Sequence, residues 1–544
     1  MRGINLILIG LLLFLGGCYQ SEATQVSIDA THSDIFQWMV DLKSIPTREE
    51  GNPLRAFLWI PSECMQLKGL VLACHNLQEE GILTDSKFRE SLTRLNFGVI
   101  WVTPGWDPIF DVEKGAQIVF EETLEKLAEL SGYTEIEYVP IVYMGHSAHA
   151  SSPYHFAAWN SEKTLTMLSI HGDSPLSDFL CCNHINPDWG DERNIDGIPG
   201  LISIGEHEWL EERLRSAFPF MKEYPKSTIS LLCDAGHWHN DISDVSINYL
   251  STFIEKAVHY RMPPDWDGKS PVVLKKTDRE KGWLADRWRS EKLPIAAPAP
   301  YAEYKGDRDS AFWYFDEEMA LLTDAYYARE RGKKHQYLNI KQQGEFIDVN
   351  QDITPFIAQE DGITFNLQIC FTDSTGRKET PHHSKNPIHI KRVSGPVHLI
   401  NDSTYQVQFY RMGTDGHKTG HIDLIAYSEA DDVYRRGWRR VALEIPKRLK
   451  EGIEQKITFP EISNTKVGER FIELNATSDS GLPVSYYIKG GPAVIEKNKL
   501  LFSAIPPKAK YPLKVTVVAY QYGRTFEPKI QTAEPVERTF LLEK

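Results

Sequence analysis

Short apolar runs alternate with amphipathic stretches from about residue 56 to residue 260 of this chain. The runs have the length of strands, and the stretches between them carry apolar side chains at helical spacing. This alternation is typical of β–α–β units, in which helices cover a mostly parallel sheet, so we predict an α/β fold with a doubly wound sheet. The predicted strands are Leu54 to Ile60, Gly69 to Cys74, Gly98 to Thr103, Val139 to Met144, Leu165 to Ile170, Gly200 to Ile204 and Thr228 to Cys233. The predicted helices are Lys87 to Leu95, Lys114 to Leu130 and Asp241 to Tyr260.

The character of the sequence changes after this region. The segment Pro263-Pro264-Asp265 interrupts the alternation, and the stretch that follows is rich in charge and tryptophan. From about residue 336 onward, short alternating runs are separated by turn residues, which is typical of β-sandwiches. The motif Ser478-Asp479-Ser480-Gly481 resembles bacterial immunoglobulin-like modules. We predict four units: an α/β domain at 24–265, an ordered connector at 266–335, a β-sandwich at 336–450 and a small immunoglobulin-like β domain at 451–544.

The chain begins with a positive residue and a short apolar run that ends in Leu15-Gly16-Gly17-Cys18. A positive start, a short apolar segment and a small-residue cleavage site are typical of a secretory signal. The last four residues resemble a bacterial lipobox, which implies cleavage before Cys18 and lipidation of that cysteine. We therefore expect residues 1–18 to be a lipoprotein signal, and a lipid anchor to hold the mature protein at the bacterial cell envelope, in the outer membrane, at the cell surface or in the periplasm.

Acidic residues outnumber basic ones by 75 to 60, which gives a formal net charge of −15. A nucleic-acid partner requires a basic face, so this balance argues against nucleic acid. The sequence also has no His-Glu-x-x-His motif and no paired Cys-x-x-Cys motifs, which are the common signatures of zinc sites. We expect neither a metal nor a cofactor.

The strongest chemical signal is the segment Met144-Gly145-His146-Ser147-Ala148-His149. A predicted strand leads into Gly-x-Ser-x and then small residues, which predicts a tight strand-to-helix turn with the serine at its apex. The segment resembles the nucleophile elbow of α/β-hydrolases, and the resemblance extends over about residues 54–260. It implies that Ser147 is a nucleophile; His149 stands where the family usually has a second glycine.

A serine nucleophile needs a histidine base and a carboxylate that orients the histidine. In the resembled fold these follow in the order serine, acid, histidine. His237, which follows an Ala-Gly turn, is the predicted base, and His239 is its rival. Glu208 is the preferred acid because of its spacing after a predicted strand, and Glu206 and Asp173 are the alternatives.

The same resemblance implies backbone amides that stabilise the oxyanion of the reaction. They are expected in the loop after the strand that ends at Cys74 and directly after the nucleophile. The candidate donors are Asn76, Leu77 and Ala148. The candidate pocket residues are His75, His146, His149, Trp106 and Trp238.

One basic cluster stands out in this acidic chain, formed by Arg435, Arg436, Trp438, Arg439 and Arg440. Arginine binds carboxylates in a bidentate manner, and tryptophan stacks on sugar rings, so the cluster is a candidate site for a polyanionic glycan. The alternative is a strand edge or hairpin that uses arginine to prevent aggregation.

These features predict an envelope-anchored serine ester hydrolase. The lipid anchor and the β modules resemble those of polysaccharide-degrading enzymes, which implies a carbohydrate esterase with a polysaccharide or oligosaccharide as its substrate. The candidate bonds are an acetyl ester, a feruloyl ester or the methyl ester of a uronic acid, as in pectin, and the arginine cluster favours the last of these. The alternatives are a secreted serine peptidase of the same fold and a non-catalytic surface protein that binds glycans.

Overall fold

The computed structural model describes residues 35–42, 53–180, 184–289, 292–414 and 420–544. The predicted lipoprotein signal with Cys18 lies outside the described residues. Among the residues that are described, no helix is both long enough and apolar enough to cross a membrane.

An eight-stranded sheet organises the first half of the chain, in the order β1-β2-β4-β3-β5-β6-β7-β8. Strand β2 pairs antiparallel with β1 and with β4, and the strands from β4 to β8 pair in parallel. Every residue of strands β2 to β8 is buried, as expected for a sheet covered on both faces. The predicted α/β class with a mostly parallel sheet is confirmed. The strands are β1 (Trp38–Leu42), β2 (Leu54–Trp59), β3 (Gly69–Cys74), β4 (Phe97–Thr103), β5 (Ile141–His146), β6 (Thr164–Ile170), β7 (Pro199–Gly205) and β8 (Thr228–Asp234).

Among the described residues, seven α-helices accompany this sheet along the chain. Asp85 caps the second by accepting from the amides of Lys87 and Phe88, and Ser243 forms a capping box with Ser246 at the start of the seventh. The helices are α1 (Gln78–Leu83), α2 (Ser86–Leu95), α3 (Ala116–Ser131), α4 (Ser152–Trp159), α5 (Leu210–Leu214), α6 (Ala217–Glu223) and α7 (Asp244–Arg261).

The tryptophan-rich segment at 266–335 packs into the core of the α/β unit. Trp288 and Trp313 are buried in the same apolar cluster as the side chains of β7 and β8. The hydroxyl of Tyr314 donates to the carbonyl of Leu231 in β8 at 2.6 Å. The segment contains β9 (Trp283–Ala285), β10 (Ala299–Pro300), β11 (Phe312–Tyr314) and helix α8 (Glu317–Ala328).

Small, mostly antiparallel sheets fill the rest of the chain. Residues 337–444 form three of them, ordered β13-β12-β16, β14-β21-β20-β17 and β15-β19-β18, and residues 457–543 form three more, ordered β22-β25, β23-β30-β29-β26 and β24-β28-β27. The predicted all-β region after the α/β unit is confirmed. The strands are β12 (Tyr337–Gln342), β13 (Glu345–Phe346), β14 (Ile353–Thr354), β15 (Thr364–Asn366), β16 (Gln368–Thr372), β17 (His389–Ser394), β18 (Val397–Asn401), β19 (Thr404–Val407), β20 (His421–Ser428), β21 (Gly437–Glu444), β22 (Ile457–Thr458), β23 (Thr465–Lys466), β24 (Phe471–Glu473), β25 (Thr477–Ser478), β26 (Ser485–Gly490), β27 (Ala493–Glu496), β28 (Lys499–Phe502), β29 (Leu513–Tyr520) and β30 (Val536–Glu543).

The C-terminal sheets share apolar cores with both preceding parts of the chain. Phe459 and Phe540 lie in one buried cluster with Leu127 of α3. On another side, Tyr520 belongs to the core of the middle sheets, and its hydroxyl accepts from the amide of Phe409 at 3.1 Å. The parts of the chain are therefore packed together through continuous apolar contacts.

Two arginines of the predicted glycan-binding cluster are buried in the structure. Arg435 is 1% exposed and Arg436 2% exposed. The guanidinium of Arg435 donates to Glu206 of the α/β unit, and that of Arg436 donates to Asp241, with 2.9 Å between Nη2 and Oδ1.

The other two arginines of the cluster are also paired internally. Arg440 binds Asp423 through two hydrogen bonds of 2.7 and 2.8 Å, and Arg439 donates to the carbonyl of Val349 at 2.8 Å. The prediction that the cluster binds a polyanionic glycan is contradicted for Arg435 and Arg436, because both are buried and paired with carboxylates. These two arginines instead join the β region to the α/β unit.

We predict that Arg436→Met lowers the free energy of unfolding by about 3–5 kcal/mol, because it leaves the buried carboxylate of Asp241 without its cation. Urea unfolding of the full chain measures this. Arg439→Met is the matched control and costs less than about 1 kcal/mol, since this guanidinium binds backbone carbonyls only. The double variant Arg436→Met/Asp241→Asn recovers part of the loss. A loss for Arg436→Met no larger than that of the control would contradict the prediction.

Candidate active site

Ser147 stands at the end of β5, at the start of a short 3-10 turn that runs to His149 and leads into α4. Its φ is 54°, in the left-handed region that non-glycine residues rarely adopt. A Cβ atom at Gly145 would lie 1.9 Å from the carbonyl oxygen of His149, so only glycine fits there. This is the strained strand-to-helix turn that presents a nucleophile clear of its sheet. With the strand order above, it gives the chain the α/β-hydrolase fold.

His149 fits this turn because the neighbouring backbone makes room for it. A Cβ atom at Gly105, which follows β4, would lie 2.5 Å from Nε2 of His149. The imidazole therefore packs against a bare glycine backbone and is buried. Gly105 explains how a histidine can stand where the resembled motif has a second glycine.

The histidine that contacts Ser147 is His239, in the loop after β8. Its Nε2 lies 2.7 Å from Oγ of Ser147. The predicted base, His237, instead turns back to the end of β8, with its Nδ1 2.8 Å from Asp234 Oδ1 and 2.9 Å from the carbonyl of Ala235. The choice of His237 over His239 is thus contradicted by the geometry. His237 directly follows Gly236, whose φ is 76°, and its ring is held at the end of β8 by Asp234.

Glu208 is the carboxylate that the structure brings to His239. Its Oε2 lies 2.5 Å from Nδ1 of His239. Its Oε1 accepts from Nδ1 of His171 at 2.8 Å and from the amide of Gly205. Of the three acids that the sequence left open, Glu208 is the one in position to orient the base.

The two alternative acids have other partners. Glu206 binds Arg435 and accepts from the amide of Gly236 at 2.9 Å. Asp173 binds Arg213 at 3.0 Å. Burial raises the pKa of Asp173 to about 6, although Arg213 acts in the opposite direction.

The protonation states of the trio suit base catalysis. Burial lowers the pKa of His239 below its ordinary value, which outweighs the attraction of Glu208, so the imidazole is neutral near pH 7. Burial opposes ionisation of Glu208, but His171 and His239 overcome it and hold the pKa of Glu208 below its usual range. A neutral imidazole backed by an ionised carboxylate can accept the proton of Ser147.

The predicted oxyanion donors Asn76 and Leu77 face a different group. Both amides donate to Oε2 of Glu79, at 3.1 and 2.9 Å, while Oε1 of Glu79 accepts from the amide of His146 at 3.0 Å. Their assignment to the oxyanion is therefore contradicted, because a carboxylate already occupies them. Burial raises the pKa of Glu79 to about 7, against the effect of the amides that favour its ionised form. Ala148, the third predicted donor, directly follows Ser147 in the 3-10 turn.

Most of the predicted pocket residues are core residues. His75 packs edge-on against Trp101, and the indole of Trp106 donates to the hydroxyl of Tyr143 at 3.1 Å. His146 lies behind the site, with Nε2 3.0 Å from the carbonyl of His239. Together with His149, these three side chains are buried and support the site from within.

Three tryptophans form an aromatic rim beside His239, and two of them were not predicted pocket residues. Trp238 is half-buried and stacks on Trp438 of β21, with ring centroids 5.3 Å apart and an angle of 13° between planes. Trp209 is 47% exposed and meets His239 edge-on, with 5.5 Å between ring centroids. The sequence signal for Trp438 was its place in the arginine cluster. Trp209, directly after Glu208, carried no separate signal.

One group of side chains among the described residues has ligating atoms close enough to hold a metal ion. It consists of His171, Glu208 and His239, whose ligand atoms lie within 4.8 Å of one another. Both histidines already contact Glu208 through their Nδ1 atoms. The group is therefore the hydrogen-bonded set that orients the base on Ser147.

No known protein family and no curated protein matches this chain. Solved structures that match include Est1E from Butyrivibrio proteoclasticus, with 13% sequence identity, 41% of this chain and 100% of that chain covered, and a TM-score of 0.28. An esterase from Pyrobaculum calidifontis matches with 14% identity, 41% and 87% coverage, and a TM-score of 0.28. The fluorophosphonate-binding serine hydrolase FphF of Staphylococcus aureus matches with 13% identity, 40% and 98% coverage, and a TM-score of 0.28. At this level of similarity, the assignment of the fold rests on the strand order and on the turn at Ser147.

Proposed function

We propose that this protein is an envelope-anchored serine ester hydrolase that removes ester groups from a polysaccharide. The observation that carries the proposal is the bonded set of Ser147, His239 and Glu208, with contacts of 2.7 and 2.5 Å. These three groups have the mutual positions that acyl transfer to a serine requires. The same set favours catalysis over the alternative of a non-catalytic glycan-binding protein.

The reaction follows from the positions of the atoms. Oγ of Ser147 attacks the ester carbonyl while Nε2 of His239 takes its proton, and Glu208 stabilises the resulting imidazolium. His239 then gives the proton to the leaving alcohol, and a covalent acyl-serine remains. Water attacks the acyl group with His239 again acting as base, which releases the acid and restores Ser147.

Glu79 holds together the backbone around the nucleophile. Its carboxylate accepts amides from the loop after β3 and from the residue that precedes Ser147. The position of Ala148, whose amide is the remaining predicted oxyanion donor, depends on the same turn. We therefore assign Glu79 a positioning role.

The aromatic rim and the sequence at the N-terminus support the proposed substrate class. Trp209, Trp238 and Trp438 present apolar surface beside the base, and such rings are suited to the apolar faces of sugars and of feruloyl groups. The burial of Arg435 and Arg436 weakens the reason to prefer the methyl ester of a uronic acid over acetyl or feruloyl esters. The envelope anchor rests on Leu15-Gly16-Gly17-Cys18.

The nucleophile and base can be tested without knowledge of the substrate. Labelling of the full chain by a fluorophosphonate probe, read by intact mass, reports attack of Ser147 on phosphorus with loss of fluoride. We expect no labelling of Ser147→Ala and a labelling rate about 1,000-fold lower for His239→Asn. His237→Asn is the matched control, and we expect its rate to stay within about tenfold of wild type. Folded wild type that is not labelled would contradict the serine-enzyme proposal, and loss of labelling in His237→Asn alone would contradict the choice of base.

The role of Glu79 can be separated from simple destabilisation. In Glu79→Gln one oxygen can no longer accept amides, so we expect a loss of about 1–3 kcal/mol in unfolding free energy and labelling about tenfold slower per folded molecule. Glu80→Gln is the matched control: Glu80 is equally buried on the same helix but binds Arg411 of the β region at 3.1 Å. It should lose stability and keep its labelling rate. Equal labelling rates in both variants would show that Glu79 does not position the turn.

The substrate class is tested by the release of acetate, methanol or ferulate from esterified glycans. We expect release from at least one polymer, and we expect Trp209→Ala to raise KM for that polymer about tenfold while KM for p-nitrophenyl acetate changes less than about threefold. Trp266→Ala is the control. The loop that carries Trp266 binds Gln66 and Tyr138, which precede strands β3 and β5, so it lies at the amino ends of the strands, opposite to the site. Cleavage of peptides without release from any ester would favour the peptidase alternative and contradict the proposal.

A further inference from the structure

His171 lies between two buried carboxylates at the carboxyl ends of the parallel strands that carry the site. It follows β6 and is 1% exposed. Its Nδ1 is 2.8 Å from Oε1 of Glu208, and its Nε2 is 3.5 Å from Oδ2 of Asp234 at the end of β8. Its φ is 42°, so the backbone adopts a rarely used conformation to present the ring there.

We propose that His171 is a positioning residue of the reaction, which holds one oxygen of Glu208 so that the other stays directed at His239. The inference rests on the proposed function, since it assumes that His239 is the base for Ser147. His171 acts through Glu208, which contacts His239.

The surroundings of His171 require it to carry a positive charge. The side chains of Glu208 and Asp234 are at most 1% exposed, and two buried negative charges on either side of a neutral ring would be strongly unfavourable. Burial by itself lowers the pKa of His171, but the two carboxylates outweigh it and raise the pKa to about 10. His171 is therefore an imidazolium at neutral pH.

Other titratable groups surround this arrangement. The rings of His146 and His239 face His171, with centroids 6.2 and 6.3 Å away. Arg213 of α5 approaches Glu208 from the other side, with 3.8 Å between Nε and Oε2. The groups that face His171 or its two carboxylates are Glu208, Asp234, His146, His239, Arg213, His237 and Tyr326.

The charge of His171 affects how strongly His239 holds a proton. A negative Glu208 alone would favour protonation of His239 in the resting enzyme, and a protonated base cannot act on Ser147. The positive charge of His171, which binds the other oxygen of Glu208, reduces this effect. No proton moves through Glu208: Nε2 of His239 takes the proton of Ser147 and gives it to the leaving group.

Replacement of His171 by asparagine separates its charge from its hydrogen bond. Nδ2 of asparagine can donate from nearly the position of Nδ1, and asparagine tolerates a positive φ. With the charge removed, Glu208 attracts the proton on His239 more strongly, so the pKa of His239 rises. We expect the acid limb of the pH profile of fluorophosphonate labelling to move up by about one pH unit in His171→Asn, and the rate on the plateau to fall less than about tenfold.

The matched control is His155→Asn, another buried histidine of the α/β unit. Nδ1 of His155 accepts from the indole of Trp189 at 2.9 Å, and burial lowers the pKa of His155 to about 4. It is neutral at pH 7, so its loss removes packing and a hydrogen bond but no charge. We expect the acid limb of His155→Asn to coincide with that of wild type, whatever the rate on its plateau.

A second measurement uses wild type alone. In an NMR titration of the full chain with ¹⁵N-labelled histidine, we expect an imidazole signal that stays protonated on both nitrogens from pH 6 to pH 8 in wild type and is absent from His171→Asn. A neutral His171 at pH 7 would overturn the proposal, and so would an unmoved acid limb in a labelled His171→Asn. Wild type that folds but is not labelled would instead show that the proposed function has failed.

Discussion

The carboxylate of Glu208 is the group on which the geometry of the site depends. Its two oxygens bind histidines that come from different strand ends, His239 after β8 and His171 after β6, and the amide of Gly205 binds it as well. A buried carboxylate with this many donors has one stable orientation, so the imidazole of His239 is held toward Ser147. The strained turn at Ser147 supplies the other half of the arrangement.

The β region supports the two loops that carry the acid and the base. Arg435 binds Glu206, which lies two residues before Glu208, and Arg436 binds Asp241, which lies two residues after His239. The hairpin of β20 and β21 thus fixes both catalytic loops through buried ion pairs, because Arg435 and Arg436 directly precede β21. Trp438 on the same hairpin stacks on Trp238 beside the base. The all-β part of this protein is accordingly a component of the active site as well as an appendage.

Features that depend on local sequence patterns, such as the strands and the nucleophile, could be predicted from the sequence. Features that depend on contacts between distant residues could not. Apolar runs located strands closely, as in β8, and the Gly-x-Ser pattern located the nucleophile. The choice between His237 and His239 depended on a turn conformation that spacing alone does not reveal. The arginine cluster was misread because its partners, Glu206 and Asp241, lie 229 and 195 residues away along the chain. Strand β1 was missed because it is short and partly exposed at the sheet edge.

The buried hairpin also bears on how such a protein can evolve. Catalytic units and β modules are often treated as cassettes that recombination can exchange between chains. Here a new module would have to supply two guanidinium groups at matching positions, or else Glu206 and Asp241 would be left as uncompensated charges beside the catalytic loops. The α/β unit and its hairpin are therefore expected to be inherited together, as one unit of selection.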